Sequence, residues 1–129
     1  MQDEAFRTQP HTRAQGQLGE DAAVEWLQQQ RGYRILDRNV TSRVGELDVV
    51  AIDGETLCFV EIKARSSKTY GAAVEAVTAA KQRRVARAAS LYLARRPFEG
   101  PCRFDVLALD SEDDGWRYTL VQDAFSLAG

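Results

Sequence analysis

The chain has few of the residues that most often bind zinc or form disulfides, with one histidine and two cysteines among 129 residues. A single histidine, His11, argues against a histidine-based catalytic triad and against a zinc site. Cys58 and Cys102 lie inside apolar runs, and we interpret them as small hydrophobic residues rather than as a disulfide or a metal-binding pair. This use of cysteine favours a reducing, cytoplasmic setting.

Long hydrophobic runs are absent as well. No apolar stretch approaches the roughly 20 residues that a membrane-spanning helix needs, and we expect no membrane contact. The polar segment Met1–Arg13 lacks the apolar centre of a signal peptide. We expect residues 1–13 to form a flexible leader and residues 14–129 to form a single domain, because this length suffices for one buried core.

Hydrophobic periodicity predicts the order helix, three strands, helix, two strands. We expect a helix at about Ala14–Gln30 and a mostly helical stretch at about Ala72–Arg95. The strands are expected at Tyr33–Val40, Glu46–Asp53, Thr56–Arg65, Arg103–Asp110 and Trp116–Val121. Such an order is typical of an α/β domain in which helices pack on the faces of one sheet. We therefore expect a mixed central sheet of about five strands flanked by helices.

Three charged residues on two neighbouring strands carry the chemistry that we expect. Residues two apart in a strand share a face, so Glu61 and Lys63 point the same way. Asp48 lies on the preceding strand, and both strands are apolar on both faces, as in the covered centre of a sheet. A charge on a covered strand is costly unless it is paired or bound to metal. The alternative is that Glu61 and Lys63 only keep an exposed strand end soluble.

The turn between these strands sets which carboxylates meet, and two registers are open. Asp53-Gly54 is a hairpin signal. If Gly54-Glu55 form the turn, Asp48 lies opposite Glu61. If Asp53-Gly54 form it, Glu46 lies opposite Glu61 and Asp48 is the diagonal neighbour. The carboxylates share a face in both registers, and a slip of one residue would separate them.

Two carboxylates about 5 Å apart repel each other unless a positive charge lies between them. Mg²⁺ is held in this way by one or two carboxylates and keeps its waters and the phosphates of its substrate. Such a metal polarises a phosphate and lowers the pKa of a bound water. Lys63 would stabilise the charge that develops on the phosphate. Asp48, Glu61 and Lys63 therefore supply the smallest set of groups that can hydrolyse a phosphodiester: two carboxylates for a metal and one ammonium for the phosphate.

Two more charged residues lie on the inward sides of the predicted helices. Glu20 is in line with Ala23 and Leu27, and Lys81 is in line with Val85. We assign Glu20 to the site as a third acid and group Lys81 with the basic residues. The alternative for each is a capping or snorkelling role at a helix end.

The net charge of −2 argues against binding a polyanion by bulk charge, but the basic residues are clustered. Between Glu61 and Arg96 there are nine basic residues and two acids, whereas acids predominate from Glu99 onward. A locally basic segment can steer a nucleic acid even when the whole chain is acidic. The candidate contacts are Arg65, Lys68, Lys81, Arg83, Arg84 and Arg87. The alternative is a solvated helix face.

These motifs together resemble a known family. The residues that carry the resemblance are Gly19-Glu20, Gly32-Tyr33, Asn39, Gly45-Glu46-Leu47-Asp48, Phe59-Val60-Glu61-Ile62-Lys63-Ala64-Arg65, Tyr70-Gly71, Lys81 and Arg103-Phe104-Asp105-Val106. They resemble the YraN-like family of small bacterial proteins, which is similar to archaeal Holliday-junction resolvases and belongs to the PD-(D/E)XK nuclease superfamily. Leu47 stands where the proline of the superfamily pattern would be.

The resemblance implies a restriction-endonuclease-like fold, with Asp48, Glu61 and Glu20 as metal ligands and Lys63 as the lysine of the pattern. It also implies Mg²⁺ or Mn²⁺ dependence, a DNA substrate and a homodimer. Branched or otherwise structured DNA is the substrate of our hypothesis. Our hypothesis is a metal-dependent endonuclease. The alternatives are a module that keeps the nuclease fold and binds DNA or a repair partner without cutting, and, ranked last, an RNA-directed nuclease.

Overall fold

A computed structural model of the chain describes residues 7–8, 14–65, 75 and 77–126, and its elements follow the predicted order. The helices and strands are β1 (Arg7–Thr8), α1 (Ala14–Arg31), β2 (Arg34–Ser42), β3 (Gly45–Asp53), β4 (Thr56–Arg65), α2 (Ala79–Arg95), β5 (Cys102–Glu112) and β6 (Gly115–Phe125). The protein is an α/β domain with a mixed sheet flanked by two helices, which confirms the predicted fold class and agrees with a restriction-endonuclease-like fold.

The strands lie side by side in their order along the chain, β1-β2-β3-β4-β5-β6. Every neighbouring pair is antiparallel except β4 and β5, which are parallel. A parallel pair needs a crossover connection, and α2 lies in that connection. The two-residue β1 pairs with Val40 and Thr41 of β2, inside the segment 1–13 that we expect to be a leader. The rest of that segment lies outside the described residues.

The second helix begins later than the sequence pattern predicts. The mostly helical stretch that we expect from about Ala72 to Arg95 is a regular helix from Ala79 onward, whereas Val77 and Thr78 are not helical. Thr78 is the N-cap: its backbone is extended, and its Oγ1 accepts the N–H of Lys81 at 3.1 Å. A threonine cap satisfies one of the donors that a helix start leaves without a partner. Residues 66–74 and 76, which include Lys68, lie outside the described residues.

Two hydrophobic cores cover the two faces of the sheet. The core on the α2 side joins that helix to the centre of the sheet through Leu47, Val50, Leu57, Phe59, Val85, Ala88, Ala89, Tyr92 and Phe104. The core on the α1 side contains Ala23, Val24, Leu27, Val49, Ala51, Cys58, Val60, Leu107 and Leu109. β3 and β4 therefore lie in the covered centre of the sheet, as the sequence predicts. Cys58 is buried in this core, Cys102 is partly buried, and both are free thiols.

A hydrogen-bonded cluster closes the end of the sheet that carries the β3–β4 turn. Arg103 donates to both carboxylate oxygens of Asp105 at 2.8 and 3.0 Å, and to Asp53 at 2.9 Å. The hydroxyl of Tyr33 donates to Asp105 at 2.8 Å and accepts from Arg103 and Gln122. Asp105 is fully buried, and these hydrogen bonds offset the free-energy cost of burying its carboxylate.

We expect Tyr33→Phe to lower the free energy of unfolding by about 1–3 kcal/mol, because Asp105 then loses a donor in a buried site. The measurement is urea unfolding followed by circular dichroism. Tyr118→Phe is the matched control, since no hydroxyl hydrogen bond of Tyr118 is found among the described residues. Equal stability of the two variants would contradict a structural role for the cluster.

Candidate active site

The turn between β3 and β4 decides the register that the sequence left open. Asp53 pairs with Thr56, so Gly54-Glu55 form the turn. Gly54 has φ 63°, which fits glycine at the first position of a two-residue hairpin turn. Counting along the hairpin from this turn puts Asp48 level with Glu61. Of the two registers, this is the one in which these acids are direct neighbours.

The paired ladder between β3 and β4 ends one residue before these acids, at Val49 and Val60. Beyond that point, side-chain carboxylates accept hydrogen bonds from backbone N–H groups of the opposite strand. Asp48 Oδ2 accepts the N–H of Ile62 at 2.8 Å, and Glu61 Oε2 accepts the N–H of Asp48 at 3.4 Å. The two carboxylates are thus held by the backbone of the opposite strand, which fixes their relative position.

Asp48 reaches this position because the alternation of β3 breaks around it. Leu47 packs in the core on the α2 side, whereas Val49 packs in the core on the α1 side. In a regular strand these two side chains would lie on the same face. Asn39 of β2 lies beside this break and has a left-handed backbone, with φ 53°. The side chain of Asp48 accordingly reaches the neighbouring strand, where it accepts the backbone N–H of Ile62, and it lines the same cavity as Glu61.

Glu61 is a buried carboxylate beside a second one. It is 2% exposed. Burial raises its pKa well above the ordinary value, and repulsion from Asp48 raises the pKa further. The ammonium of Lys81, with Nζ 3.7 Å from Oε1, and the N–H of Asp48 act in the opposite direction. The charged form of Glu61 is therefore costly here unless positive charge is close by.

A polar cavity of about 370 Å³ opens over these residues on the α2 side. Its walls are Asp48, Glu61, Ile62, Lys63, Val77, Thr78, Lys81 and Arg84. Lys63 is exposed and has no ion-pair partner among the residues that the structure describes. The three residues predicted to be central, Asp48, Glu61 and Lys63, thus line one cavity, and the first turns of α2 form its other wall.

Close packing of α2 against β3 brings Arg84 to this cavity. A Cβ at Gly45 would lie 3.0 Å from the carbonyl oxygen of Arg84. Gly45 also has φ 153°, a backbone conformation that residues with side chains rarely adopt. A larger residue at this position would push α2 away from the sheet and would move Arg84 and Lys81 with it.

Glu20 approaches the site from the other helix. Gly19 is buried and lies against Ala64, so the start of α1 packs on the end of β4. Burial and repulsion from Asp48 raise the pKa of Glu20 to about 7, while Arg38 acts to lower it. Glu20 therefore lies near enough to Asp48 for their charges to interact. Within residues 14–65, 75 and 77–126, however, no three His, Cys, Asp or Glu side chains converge as a ready-made metal site.

The donors at Asp48 and Glu61 are of the kind that a hard divalent cation takes. All of their side-chain donors are carboxylate oxygens, which suit Mg²⁺ and Mn²⁺. Backbone N–H groups orient both carboxylates. Burial and repulsion from Asp48 raise the pKa of Glu61, and a divalent cation at this position would act against both effects. These two residues fit a metal, and Glu20 as a third ligand stays a prediction.

The predicted nucleic-acid contacts lie in different surroundings. Arg83, Arg84 and Arg87 are exposed on α2 and have no ion-pair partner among the described residues. Arg65 instead donates to both oxygens of Asp110, at 2.8 and 3.1 Å, and its side chain is 10% exposed. Because this guanidinium is engaged with Asp110, Arg65 differs from the exposed arginines of α2.

The chain also matches known proteins. The model of a family described as "Uncharacterised protein family UPF0102" matches residues 19–109, from α1 into β5. The chain belongs to the UPF0102 family. This confirms the predicted YraN-like relationship. The part of this chain that matches the family model contains Glu20, Asp48, Glu61 and Lys63.

UPF0102 relatives are similar over most of their length. UPF0102 protein STH1475 of Symbiobacterium thermophilum is 54% identical over 116 residues, which cover 88% of this chain and 98% of the relative. A UPF0102 protein of Janthinobacterium sp. (strain Marseille) is 44% identical over 107 residues, covering 83% of this chain and 86% of the relative. UPF0102 protein HEAR0176 of Herminiimonas arsenicoxydans is 42% identical over 119 residues, covering 91% and 95%. In the described part of this UPF0102 chain, no helix has the length and apolar character to span a membrane.

Proposed function

We propose that this protein is a metal-dependent endonuclease that hydrolyses phosphodiester bonds in DNA, including branched or otherwise structured DNA. The observation that carries the proposal is the break in the β3–β4 ladder. There, Asp48 and Glu61 are fixed side by side by backbone N–H groups, in a cavity whose wall also carries Lys63. A purely structural strand pair would continue its ladder and would not need a buried acid, Glu61, beside the partly buried Asp48.

Different residues at the site would bind the metal and stabilise the phosphate during hydrolysis. Asp48 and Glu61 would hold Mg²⁺ or Mn²⁺, with Glu20 as a further acid near Asp48. When bound, the metal would polarise the phosphate and lower the pKa of a water. Lys63 would place its ammonium against a phosphate oxygen and stabilise the charge that develops there. Its exposed side chain on the cavity wall leaves it accessible to a substrate.

The exposed face of α2 supplies a basic surface beside the cavity, which we define by Arg83, Arg84 and Arg87. Arg84 lines the cavity, while Arg83 and Arg87 are exposed on the same helix. Guanidinium groups bind phosphates through paired N–H donors. DNA laid along this surface would have a phosphate at Arg84, next to Lys63. The basic surface therefore supports DNA as the partner of this site.

Reversing two charges of the basic surface is expected to weaken DNA binding. In Arg83→Glu/Arg87→Glu, the affinity should fall and the slope of log K against log salt should flatten by roughly two, because each lost phosphate contact no longer releases counterions. Fluorescence anisotropy at several salt concentrations measures both quantities. The control is Arg31→Glu/Arg34→Glu, which makes the same charge change at the end of the molecule that carries the β3–β4 turn. Equal salt slopes in the two variants would mean that α2 is only a solvated face.

The experiment that tests the function is cleavage of a substrate panel. Duplex, single-stranded, flap and four-way DNA would be incubated with wild type and with Asp48→Asn, in Mg²⁺, in Mn²⁺ and in EDTA. We expect metal-dependent nicking by the wild type alone. If the wild type binds DNA but cuts no substrate with either metal, the non-cleaving binding module becomes the better hypothesis. Cleavage that persists in Asp48→Asn would point to a contaminating nuclease.

A further inference from the structure

Lys81 has a place in the cavity that differs from that of the other basic residues. Its Nζ lies 3.7 Å from Glu61 Oε1. Its side chain is 36% exposed, whereas that of Glu61 is 3% exposed. Its backbone is fixed in the first turn of α2, where the N–H of Lys81 donates to Thr78 Oγ1. The structure thus pairs a long side chain that reaches water with a carboxylate that does not.

The position of Lys81 conflicts with a metal at Glu61. An ammonium and a divalent cation both need the negative charge of this carboxylate, and they repel each other when they share it. Lys63 and Arg84 add further positive charge to the same cavity. The side chain of Lys81 is partly exposed, so it can turn from Glu61 to a phosphate in the cavity, which a fully buried side chain could not do.

We propose that Lys81 is an exchangeable counter-cation of Glu61: it neutralises Glu61 in the metal-free protein and moves to a DNA phosphate when a metal binds there. This inference rests on the proposed function, since it needs a metal at Glu61. It adds a coupling between two ligands. Metal binding releases Lys81 for DNA, and DNA holds Lys81 away from the metal, so each ligand raises the affinity for the other.

The first test is calorimetric titration of the DNA-free protein with Mn²⁺. Lys81→Gln removes the competing ammonium, so we expect it to bind Mn²⁺ about tenfold more tightly than wild type. Arg83→Gln is the matched control, because it removes one positive charge from the same helix without a contact to Glu61. An affinity for Lys81→Gln that equals that of the control, with only the melting temperature changed, would make Lys81 merely structural.

This titration separates the two proposals. If the wild type binds no Mn²⁺, the metal site of the proposed function fails and the exchange fails with it. If the wild type binds Mn²⁺ and Lys81→Gln binds it no more tightly than the control, only the exchange is overturned. Neither result depends on cleavage activity.

The second test uses DNA binding in EDTA, where Lys81 should still be paired with Glu61. Glu61→Gln frees Lys81, so its DNA affinity should exceed that of Asp48→Asn, which removes the same charge, by roughly threefold or more. Adding Lys81→Gln to both variants should erase this difference. Equal DNA affinities of Glu61→Gln and Asp48→Asn would overturn the proposed exchange.

Discussion

Lys63→Ala is expected to slow single-turnover cleavage about a hundred- to thousandfold, which corresponds to losing roughly 3–4 kcal/mol of transition-state stabilisation. Lys63 lines the cavity that holds Asp48 and Glu61, and its ammonium is not engaged in an ion pair within the described residues. It is therefore available for a phosphate. The charge that it would stabilise develops only as the phosphodiester bond breaks, so the loss should appear in the rate.

The same substitution should leave metal binding and the fold nearly intact. A protonated amine has no lone pair for a metal, and an exposed side chain contributes little to packing. Ground-state affinity for DNA should fall much less than the rate, because several basic groups share it. Single-turnover cleavage and equilibrium binding are measured on the same protein, with Arg83→Ala as a control for the lost charge. Cleavage by Lys63→Ala at the wild-type rate would remove Lys63 from the catalytic residues.

Asp48→Asn and Glu61→Gln are each expected to weaken Mg²⁺ or Mn²⁺ binding on the order of a hundredfold or more, because losing residues that merely orient metal ligands already costs about 10–100-fold. Both substitutions nearly preserve shape and remove one negative charge. Calorimetric titration measures the affinity. Glu46→Gln, an exposed residue whose charge also acts on Glu61, is the matched control. Wild-type affinity in both Asp48→Asn and Glu61→Gln would remove the proposed site.

The raised pKa values make this metal binding depend on pH in a defined direction. Burial, followed by repulsion from Asp48, raises the pKa of Glu61 well above 4.5 and that of Glu20 to about 7. The native protein then holds protons that the unfolded chain releases. The stability that these two groups contribute to the metal-free protein is therefore lost as the pH rises from about 4.5 through their raised pKa values. Metal needs the deprotonated carboxylates, so its affinity rises over the same range.

The gain in melting temperature from saturating Mg²⁺ should therefore be larger at about pH 8 than at about pH 5.5. Thermal unfolding with Mg²⁺ and with EDTA at both pH values measures this gain. In Glu61→Gln the gain should be small at both values, and this variant without metal should be more stable than the wild type at the higher pH. A gain that shrinks as the pH rises would contradict the proposed carboxylate ligands.

Much of the fold could be predicted because local signals determine it. Apolar periodicity located both helices and five strands, and it indicated that β3 and β4 are central. Helix propensity alone does not locate the start of α2, because alanines precede Thr78 as well as follow it. The N-cap preference of threonine was the signal that would have located this start.

The site was predictable in its members but not in its geometry. Hairpin counting brings Asp48 level with Glu61, yet it assumes regular alternation. The break between Leu47 and Val49 depends on how both helices pack, which no local pattern encodes. The bidentate pairing of Arg65 with Asp110 was missed for a similar reason, because it joins residues 45 positions apart. Lys81 had a usable signal, since its spacing from Val85 already placed it on the inward side of its helix.

The two hairpins differ in how freely their lengths can change during evolution. Asp48 and Glu61 lie thirteen positions apart and are joined by the β3–β4 hairpin, so one residue gained or lost within either strand would turn an acid out of the cavity. The turn at Asp113-Asp114, between β5 and β6, connects no residue of the cavity. An alignment of UPF0102 sequences in which β3 and β4 vary by single residues while both acids are retained would contradict this constraint. We expect insertions and deletions to accumulate at the β5–β6 turn. The β3–β4 hairpin should instead keep the same number of residues among relatives.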